Sequence, residues 1–316
     1  MATLRIGTRG SELALWQANH VAGALRARGH QLAIEIIKTS GDKFAEAGFA
    51  EVGALSGTTK GIFTKEIEEA LRDERVDLAV HSLKDLPTEL PAGFRLVAIL
   101  KREDARDALV SKQYQSLGEL PKGARVGTSS LRREAQLRAL RRDLKVLPLR
   151  GNVGTRLEKL ERNEFDAIVL ASAGLRRLGR EAAARQFFEY EGICPAAGQG
   201  ALAIEVRADD EATREALKFM DDAGTRGATE CERALLAALG GGCQVPIGAY
   251  AEASGSKLRL LAKVGRRDGS EMLMERGEGD DPKKLGVTVA QKLIQRGAAE
   301  ILREIYGTRA AVPQQP

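Results

Sequence analysis

The residue with the sharpest chemical profile is Cys243. It stands in Gly240-Gly241-Gly242-Cys243-Gln244-Val245-Pro246-Ile247-Gly248, a loop-forming run directly after an apolar stretch. A structural cysteine belongs on the buried face of a helix, the position expected for Cys231. A glycine-flanked thiol is instead a candidate nucleophile or attachment point. No histidine lies near it in the chain, so a Cys–His hydrolase finds no support. The sequence has three cysteines and three histidines, no Cys-x-x-Cys and no His pair at ligand spacing. A zinc site is therefore not expected.

The acid/base candidate is Asp85, in His81-Ser82-Leu83-Lys84-Asp85-Leu86-Pro87. Taken alone, an aspartate beside a lysine reads as a surface ion pair. At the carboxyl end of a strand it can instead stabilise a cationic intermediate or shuttle a proton. A third constellation is Thr128-Ser129-Ser130-Leu131-Arg132-Arg133. Three hydroxyls open a helix and two arginines fill its first turn. A helix N-terminus is already positive, so these cations lower stability unless an anion is present. Free N–H groups, hydroxyls and guanidinium forks together make an anion cradle. The plainer reading is a hydroxyl cap followed by a solvated basic face. On the cradle reading, Arg132 and Arg133 bind ligand carboxylates, and replacing either leaves the fold nearly as stable. Arg150-Gly151-Asn152-Val153-Gly154-Thr155-Arg156 and Gly174-Leu175-Arg176-Arg177 repeat the device. Arginine rather than lysine favours a planar, bidentate partner such as a carboxylate.

The elements that position these residues follow one theme. A short apolar run ends in Gly, Ser, Thr or Arg, and a helical pattern follows. The five runs are Leu4 to Gly7, Val76 to Val80, Ala124 to Gly127, Lys145 to Leu149 and Ala167 to Leu170. Helices are predicted over Glu12 to Arg28, Leu131 to Arg142, Val153 to Arg162 and Ala173 to Leu178. Alternating strands and helices predict an α/β protein with mostly parallel sheets. Such sheets bind ligands beyond the carboxyl ends of their strands. Arg9, Ser11, Ser82, Lys84, Asp85, Thr128, Ser129, Arg150 and Ser172 all fall there. The run 189–206 reads as a crossover between domains leading into a strand at Ala201 to Val206. Beyond it the pattern predicts a helix over Glu230 to Leu239 and a hairpin turning at Arg266-Arg267-Asp268-Gly269. One helix over Leu285 to Ile305 and a frayed tail from Thr308 complete a small α+β domain. No long repeat is visible.

At 316 residues the chain is long enough for two or three domains. Its 43% hydrophobic and 29% charged residues are ordinary globular composition. The longest apolar run, Ala234 to Leu239, is six residues, so no membrane span is expected. The N-terminus shows no apolar signal core, and the cytoplasm is the expected compartment. Net charge is +5, and Lys122 to Arg180 alone carries fifteen Lys/Arg against six Asp/Glu. That block calls for a polyanionic partner. Aromatics are only 4%, and the basic residues lie in separate strand-end loops, which disfavours a nucleic-acid surface.

Five ordered motifs then carry a resemblance. They are Thr8-Arg9-x-Ser11-x-Leu13-Ala14, His81-Ser82-x-Lys84-Asp85-x-Pro87, Gly127-Thr128-Ser129-Ser130-x-Arg132-Arg133, Arg150-Gly151-Asn152-x-x-Thr155-Arg156 and Gly242-Cys243-x-x-Pro246-Ile247-Gly248. From about Leu4 to Tyr306 the chain resembles the hydroxymethylbilane synthase (porphobilinogen deaminase) family. The resemblance implies two periplasmic-binding-protein-like α/β domains flanking a cleft, and a small α+β C-terminal domain. Their expected spans are 1–99 with 200–219, then 100–199, then 220–316. It implies head-to-tail condensation of four porphobilinogens with release of ammonia. The implied primer is a dipyrromethane cofactor in thioether linkage to Cys243, and the implied partners are porphobilinogen and linear oligopyrrole intermediates. Asp85 is the implied catalytic carboxylate. Arg9, Ser11, Lys60, Ser82, Lys84, Thr128, Ser129, Ser130, Arg132, Arg133, Arg150, Arg156, Ser172, Arg177 and Gln199 are the implied cofactor and substrate ligands. A monomer, with neither nucleic acid nor membrane as partner, is expected.

One stretch departs from the family pattern. The usual Gly-Gly-Lys-Gly, with a further lysine four residues before its own, appears here as Ser56-Gly57-Thr58-Thr59-Lys60-Gly61. Lys60 is kept, Ser56 takes the upstream lysine's place, and 45–59 is expected to be a mobile loop. A non-catalytic anion-binding protein on the same scaffold is the alternative reading. It would have no use for Cys243.

Overall fold

A computed structural model describes residues 3–40, 64–241 and 245–306. Lys60, Cys243, the 45–59 loop and the tail from Thr308 lie outside the described residues. The chain divides into two units, residues 1–102 with 201–223, and 103–200 with 224–316.

The first unit is built on a five-stranded sheet ordered β2-β1-β3-β10-β4. Its strands are β1 (Thr3–Thr8), β2 (Gln31–Ile36), β3 (Leu78–Ser82), β4 (Phe94–Ile99) and β10 (Leu202–Arg207). β1 pairs in parallel with β2 and β3, whereas β10 runs antiparallel to both β3 and β4. The second unit repeats this plan as β7-β6-β8-β5-β9. Here β5 (Asp107–Val110), β6 (Arg125–Gly127), β7 (Lys145–Leu147), β8 (Ala167–Ala171) and β9 (Ala184–Phe187) are the strands. β6 is parallel to β7 and β8, and β5 is antiparallel to β8 and β9. The sheets are thus half antiparallel by pairing, not mostly parallel as the strand–helix alternation suggests. The reason is that β10 and β5 enter from the segments joining the units, not through a helical crossover.

The repeat extends to side chains. Asp77, just before β3, accepts from the Arg5 backbone N–H at 2.7 Å and from its guanidinium at 3.1 and 2.7 Å. Asp166, just before β8, does the same for Arg125 at 2.7, 3.3 and 2.9 Å. Each aspartate fixes the register between the two parallel strands that carry site residues. Gly7 and Gly127 occupy matching places near the ends of β1 and β6. A Cβ would meet Val76 at 3.0 Å in the first and Phe165 at 2.9 Å in the second. Only glycine lets the strand end lie that close to the layer beneath it.

Helices follow the strand ends. α1 (Glu12–Arg26) and α2 (Lys65–Arg72) belong to the first unit. α3 (Leu131–Leu140), α4 (Val153–Glu161) and α5 (Ser172–Arg177) belong to the second, and α6 (Glu211–Leu217) to the first. α7 (Ala223–Ala238) begins seven residues before its predicted start. Gly224, Thr225 and Gly227 are poor helix formers, but Thr225 and Ala228 are buried and the Thr229 hydroxyl donates back to the Thr225 carbonyl at 2.8 Å. Tertiary packing overrides local propensity there. The C-terminal antiparallel sheet, β11 (Ile247–Ser254), β12 (Lys257–Gly265) and β13 (Met272–Gly279), carries its own core with α7, α8 (Pro282–Gln295) and α9 (Ala298–Tyr306). The single helix predicted over Leu285 to Ile305 is two. Gly297 sits at φ +101 between them, a left-handed conformation that ends one helix and re-aims the next.

Candidate active site

Because β1 and β3 are parallel, the residues after them leave the sheet at one edge. A pocket opens there, lined by Arg9, Ser11, Gln17, Thr64, Ile67, His81, Ser82 and Asp85 among others. Four of the residues expected from sequence are brought together in it: Arg9, Ser11, Ser82 and Asp85. Lys84 is beside Asp85 in the short helical turn Leu83–Asp85 but does not line the pocket. The Ser11 hydroxyl caps α1 by accepting from Ala14 N–H at 3.3 Å. It keeps its own proton to donate. Gln17, which sequence reasoning missed, donates from Nε2 to Ser82 Oγ at 2.9 Å and fixes that hydroxyl. Its only sequence signal was an amide in the α1 pattern of apolar residues.

In the second unit the ends of β6, β7 and β8 form the corresponding edge. Ser129 Oγ donates to the Leu149 carbonyl and accepts from the Leu149 N–H, both at 3.0 Å, tying the ends of β6 and β7 together. Thr128 is buried and its Oγ1 accepts from Ser130 N–H at 3.2 Å. Ser130 caps α3. Arg150 is exposed, and Arg156 is half-buried with its Nε donating to the Gly151 carbonyl at 2.8 Å. Ser172 is buried, 3.3 Å from Asp104. Arg177 donates to the Gly200 carbonyl at 2.6 Å, and burial pulls its guanidinium down to about 10.

Arg132 and Arg133 depart from expectation. Both are buried, and both are held by Asp107 at the start of β5, itself 0% exposed. Arg132 Nη1 donates to Asp107 Oδ2 at 2.7 Å and to the Cys194 carbonyl at 2.6 Å. Arg133 Nη2 donates to Asp107 Oδ1 at 2.6 Å, and its Nη1 to the Val169 carbonyl at 3.0 Å. Gln199, expected as a ligand, is fully buried and donates to Asp107 Oδ1 at 2.9 Å and to the Ala105 carbonyl at 2.7 Å. Burial alone raises the Asp107 carboxyl. The charges and hydrogen bonds of the two arginines outweigh that and hold it far below the usual carboxylate range. The anion needed at the start of α3 is thus a protein carboxylate. The expectation that either arginine can be replaced without loss of stability is corrected accordingly: these side chains are part of the unit's interior.

Cys231 is fully buried on α7, as expected, and Cys194 is buried too. Burial pushes both thiols up to about 12.

A family model described as porphobilinogen deaminase, dipyromethane cofactor binding domain, matches residues 4–215. A second, porphobilinogen deaminase, C-terminal domain, matches residues 228–295. The chain belongs to the porphobilinogen deaminase family. The family's members are transferases of tetrapyrrole synthesis. They join four porphobilinogens head to tail into hydroxymethylbilane, release ammonia, and use dipyrromethane as cofactor. That assignment disposes of the non-catalytic alternative.

Solved structures similar to this porphobilinogen deaminase family chain include a nutrient binding protein from Burkholderia cenocepacia bound to methionine. Identity is 13%, with 68% of this chain and 90% of that chain covered and a TM-score of 0.43. Another is a periplasmic substrate-binding protein of an ABC transporter from Coxiella burnetii. Identity is 15%, coverage 71% and 94%, and the TM-score 0.42.

Proposed function

We propose that the pocket at the ends of β1 and β3 holds the reacting porphobilinogen, with Asp85 as its catalytic carboxylate. The observation that carries this reading is the convergence of Arg9, Ser11, Ser82 and Asp85 on one pocket. The substrate's acetate and propionate need donors, which Arg9, the two hydroxyls and Gln17 supply. Its positive charge, left on the ring when ammonia departs, needs an anion, which Asp85 supplies. Asp85 also exchanges protons with the pyrrole nitrogen. Lys84 adds positive charge at the rim.

The donor set of the second unit fits dipyrromethane, whose acetates and propionates are carboxylates. Arg150, Arg156 and Thr128 at the ends of β6 and β7 would hold them, with Ser130, Ser172 and Arg177 beside them, while Ser129 acts by tying the ends of β6 and β7 together. Arg132 and Arg133 take part through whatever donors Asp107 leaves them, and Gln199 acts by holding Asp107. Cys243 would carry the group through a thioether, and Lys60 would add a cation. When bound, the cofactor supplies the nucleophilic pyrrole on which the chain grows.

The free thiols of Cys194 and Cys231 support a reducing compartment, the cytoplasm. The large exposed apolar side chains, such as Ile36, Phe219, Met274 and Val287, stand on separate elements. That supports a monomer, which light scattering checks. No helix among the described residues is long and apolar enough to cross a membrane. The deciding experiment is the intact mass of the denatured protein. An excess equal to one dipyrromethane, absent from Cys243→Ala, is the expected result; no excess in the wild type overturns the reading.

A further inference from the structure

Beneath the pocket lies a buried acidic pair. In the β3–β10 register His81 faces Ala203 and Ala79 faces Glu205. Side chains two apart on a strand share a face, so His81 and Glu205 are diagonal neighbours, and the small Ala79 and Ala203 leave room between them. α2 covers this face with Ile67, Ala70 and Leu71, and brings Glu68 with it. Glu205 is 0% exposed and Glu68 is buried. Burial raises the Glu68 carboxyl, and Glu205 adds to the rise.

Glu205 makes one contact with a donor: its Oε2 lies 2.9 Å from His81 Nε2. Its Oε1 is buried without a hydrogen-bond partner. A buried carboxylate is costly without a donor, and a carboxylate can only accept. With Glu205 ionised and the imidazole neutral, this contact puts the ring proton of His81 on Nε2. The other nitrogen, Nδ1, is left as an acceptor, and it has no hydrogen-bond partner among the described residues. The side chain is only 7% exposed, yet His81 lines the pocket with Ser82, Asp85 and Arg9.

We infer that His81 is a further binding residue of this pocket: its Nδ1 accepts a hydrogen bond from an N–H of the pyrrole substrate, and Glu205 holds the ring in the tautomer that can accept. This rests on the pocket taking porphobilinogen. The substrate presents carboxylate acceptors on its side chains and N–H donors on its ring and aminomethyl group. Arg9, Ser11 and Gln17 answer the acceptors. Asp85 and His81 answer the donors, one as a charge and one as a neutral, directional group. A pocket built to accept from an N–H also rejects ring analogues that lack one, because Nδ1 would stay buried and unpaired.

The test uses the cofactor-loaded protein labelled with 15N-histidine. His81 is one of three histidines in the chain, so His81→Phe assigns its signals. The expected spectrum has the proton on Nε2 and an unprotonated Nδ1 whose resonance moves when porphobilinogen is kept in excess. Glu205→Gln frees the tautomer, and the KM for porphobilinogen should rise about tenfold with kcat changed much less, the loss of one hydrogen bond. A proton on Nδ1 in the resting protein overturns the proposal. So does an Nδ1 signal unmoved while porphobilinogen is consumed, or a wild-type KM in a folded Glu205→Gln protein. The wild-type spectrum decides the matter even where that variant does not fold. A wild-type protein that consumes no porphobilinogen removes the functional reading and this proposal together.

Discussion

Arg133 grips Asp107 through two donors, Nη2 at 2.6 Å and Nε at 3.1 Å, with the carboxylate fully buried and the arginine nearly so. Arg132 takes the carboxylate's other oxygen at 2.7 Å. One anion therefore serves two cations in the interior of the second unit, at the mouth of α3. Such a cluster adds little net stability over an apolar one. Breaking it from one side is what costs, since a charge is left buried and uncompensated.

Asp107→Asn is accordingly expected to be more damaging than any change to its partners. It leaves two buried guanidiniums facing a neutral amide, a loss of about 3–5 kcal/mol. Arg132→Leu and Arg133→Leu should each cost less, because Asp107 keeps the other arginine and Gln199. Urea denaturation of the three variants checks the order. A fully stable Asp107→Asn protein would show that the arginines find other anions at no cost.

Acid should unfold the protein through these same carboxyls. Asp107, Asp104, Asp77 and Asp166 are all held below the usual aspartate range by arginine partners. A depressed carboxyl gives stability that is present above its unfolded value, about 3.9, and is lost as pH falls toward the folded value. Glu68 works in the opposite sense. Its raised carboxyl stabilises the fold below about 4.3 and loses that contribution as pH rises. Four depressed groups outweigh one raised group, so stability should fall steeply below about pH 4. Thermal melts across pH 2 to 7 measure it. In Asp107→Asn the slope should be shallower, since its proton uptake is removed.

Cys243, as the attachment point of the cofactor, should be blocked as a thioether, whereas the two interior cysteines stay free thiols. With Cys194 and Cys231 pushed up to about 12 and buried, neither should react with a small disulfide reagent in the folded protein at pH 8. Both should react once the protein is unfolded. In Cys243→Ala the native protein should show no reactive thiol, and, lacking the bound cofactor, it should melt below the loaded wild type. Reagent counting by mass spectrometry decides it.

The strand-end residues were legible because their signal is local. A short apolar run ending in Gly and a hydroxyl marks the same step in Arg5-Ile6-Gly7-Thr8 and Arg125-Val126-Gly127-Thr128. The structural repeat behind those two lines was not legible, since its partners Asp77 and Asp166 lie 72 and 41 residues away along the chain. Nor was the antiparallel entry of β5 and β10, whose apolar runs look the same in either direction. The fate of Arg132 and Arg133 turned on Asp107, which reads in sequence as one more acid in Arg102-Glu103-Asp104-Ala105-Arg106-Asp107. His81 stood in a motif of its own, but its bond to Glu205 was not legible, since the two lie 124 residues apart along the chain.

Asp85→Asn tests the chemistry most directly. Asp85 is an exposed member of the pocket and carries no part of the core. The amide is nearly isosteric, so folding and substrate binding should survive. It has no charge to set against the cation left when ammonia departs, and it is a poor base. Loss of one well-placed electrostatic group costs roughly 10²–10³-fold in rate, and loss of proton transfer at the same residue costs roughly 10²-fold more. Single-turnover kinetics should therefore show tight binding and a chemical step slowed by roughly 10⁴–10⁵-fold. Intact mass should find the protein stalled with its cofactor and few added pyrroles. Turnover at the wild-type rate would leave Asp85 as no more than a rim charge beside Lys84. The acid/base role would then have to pass to another carboxylate at the pocket.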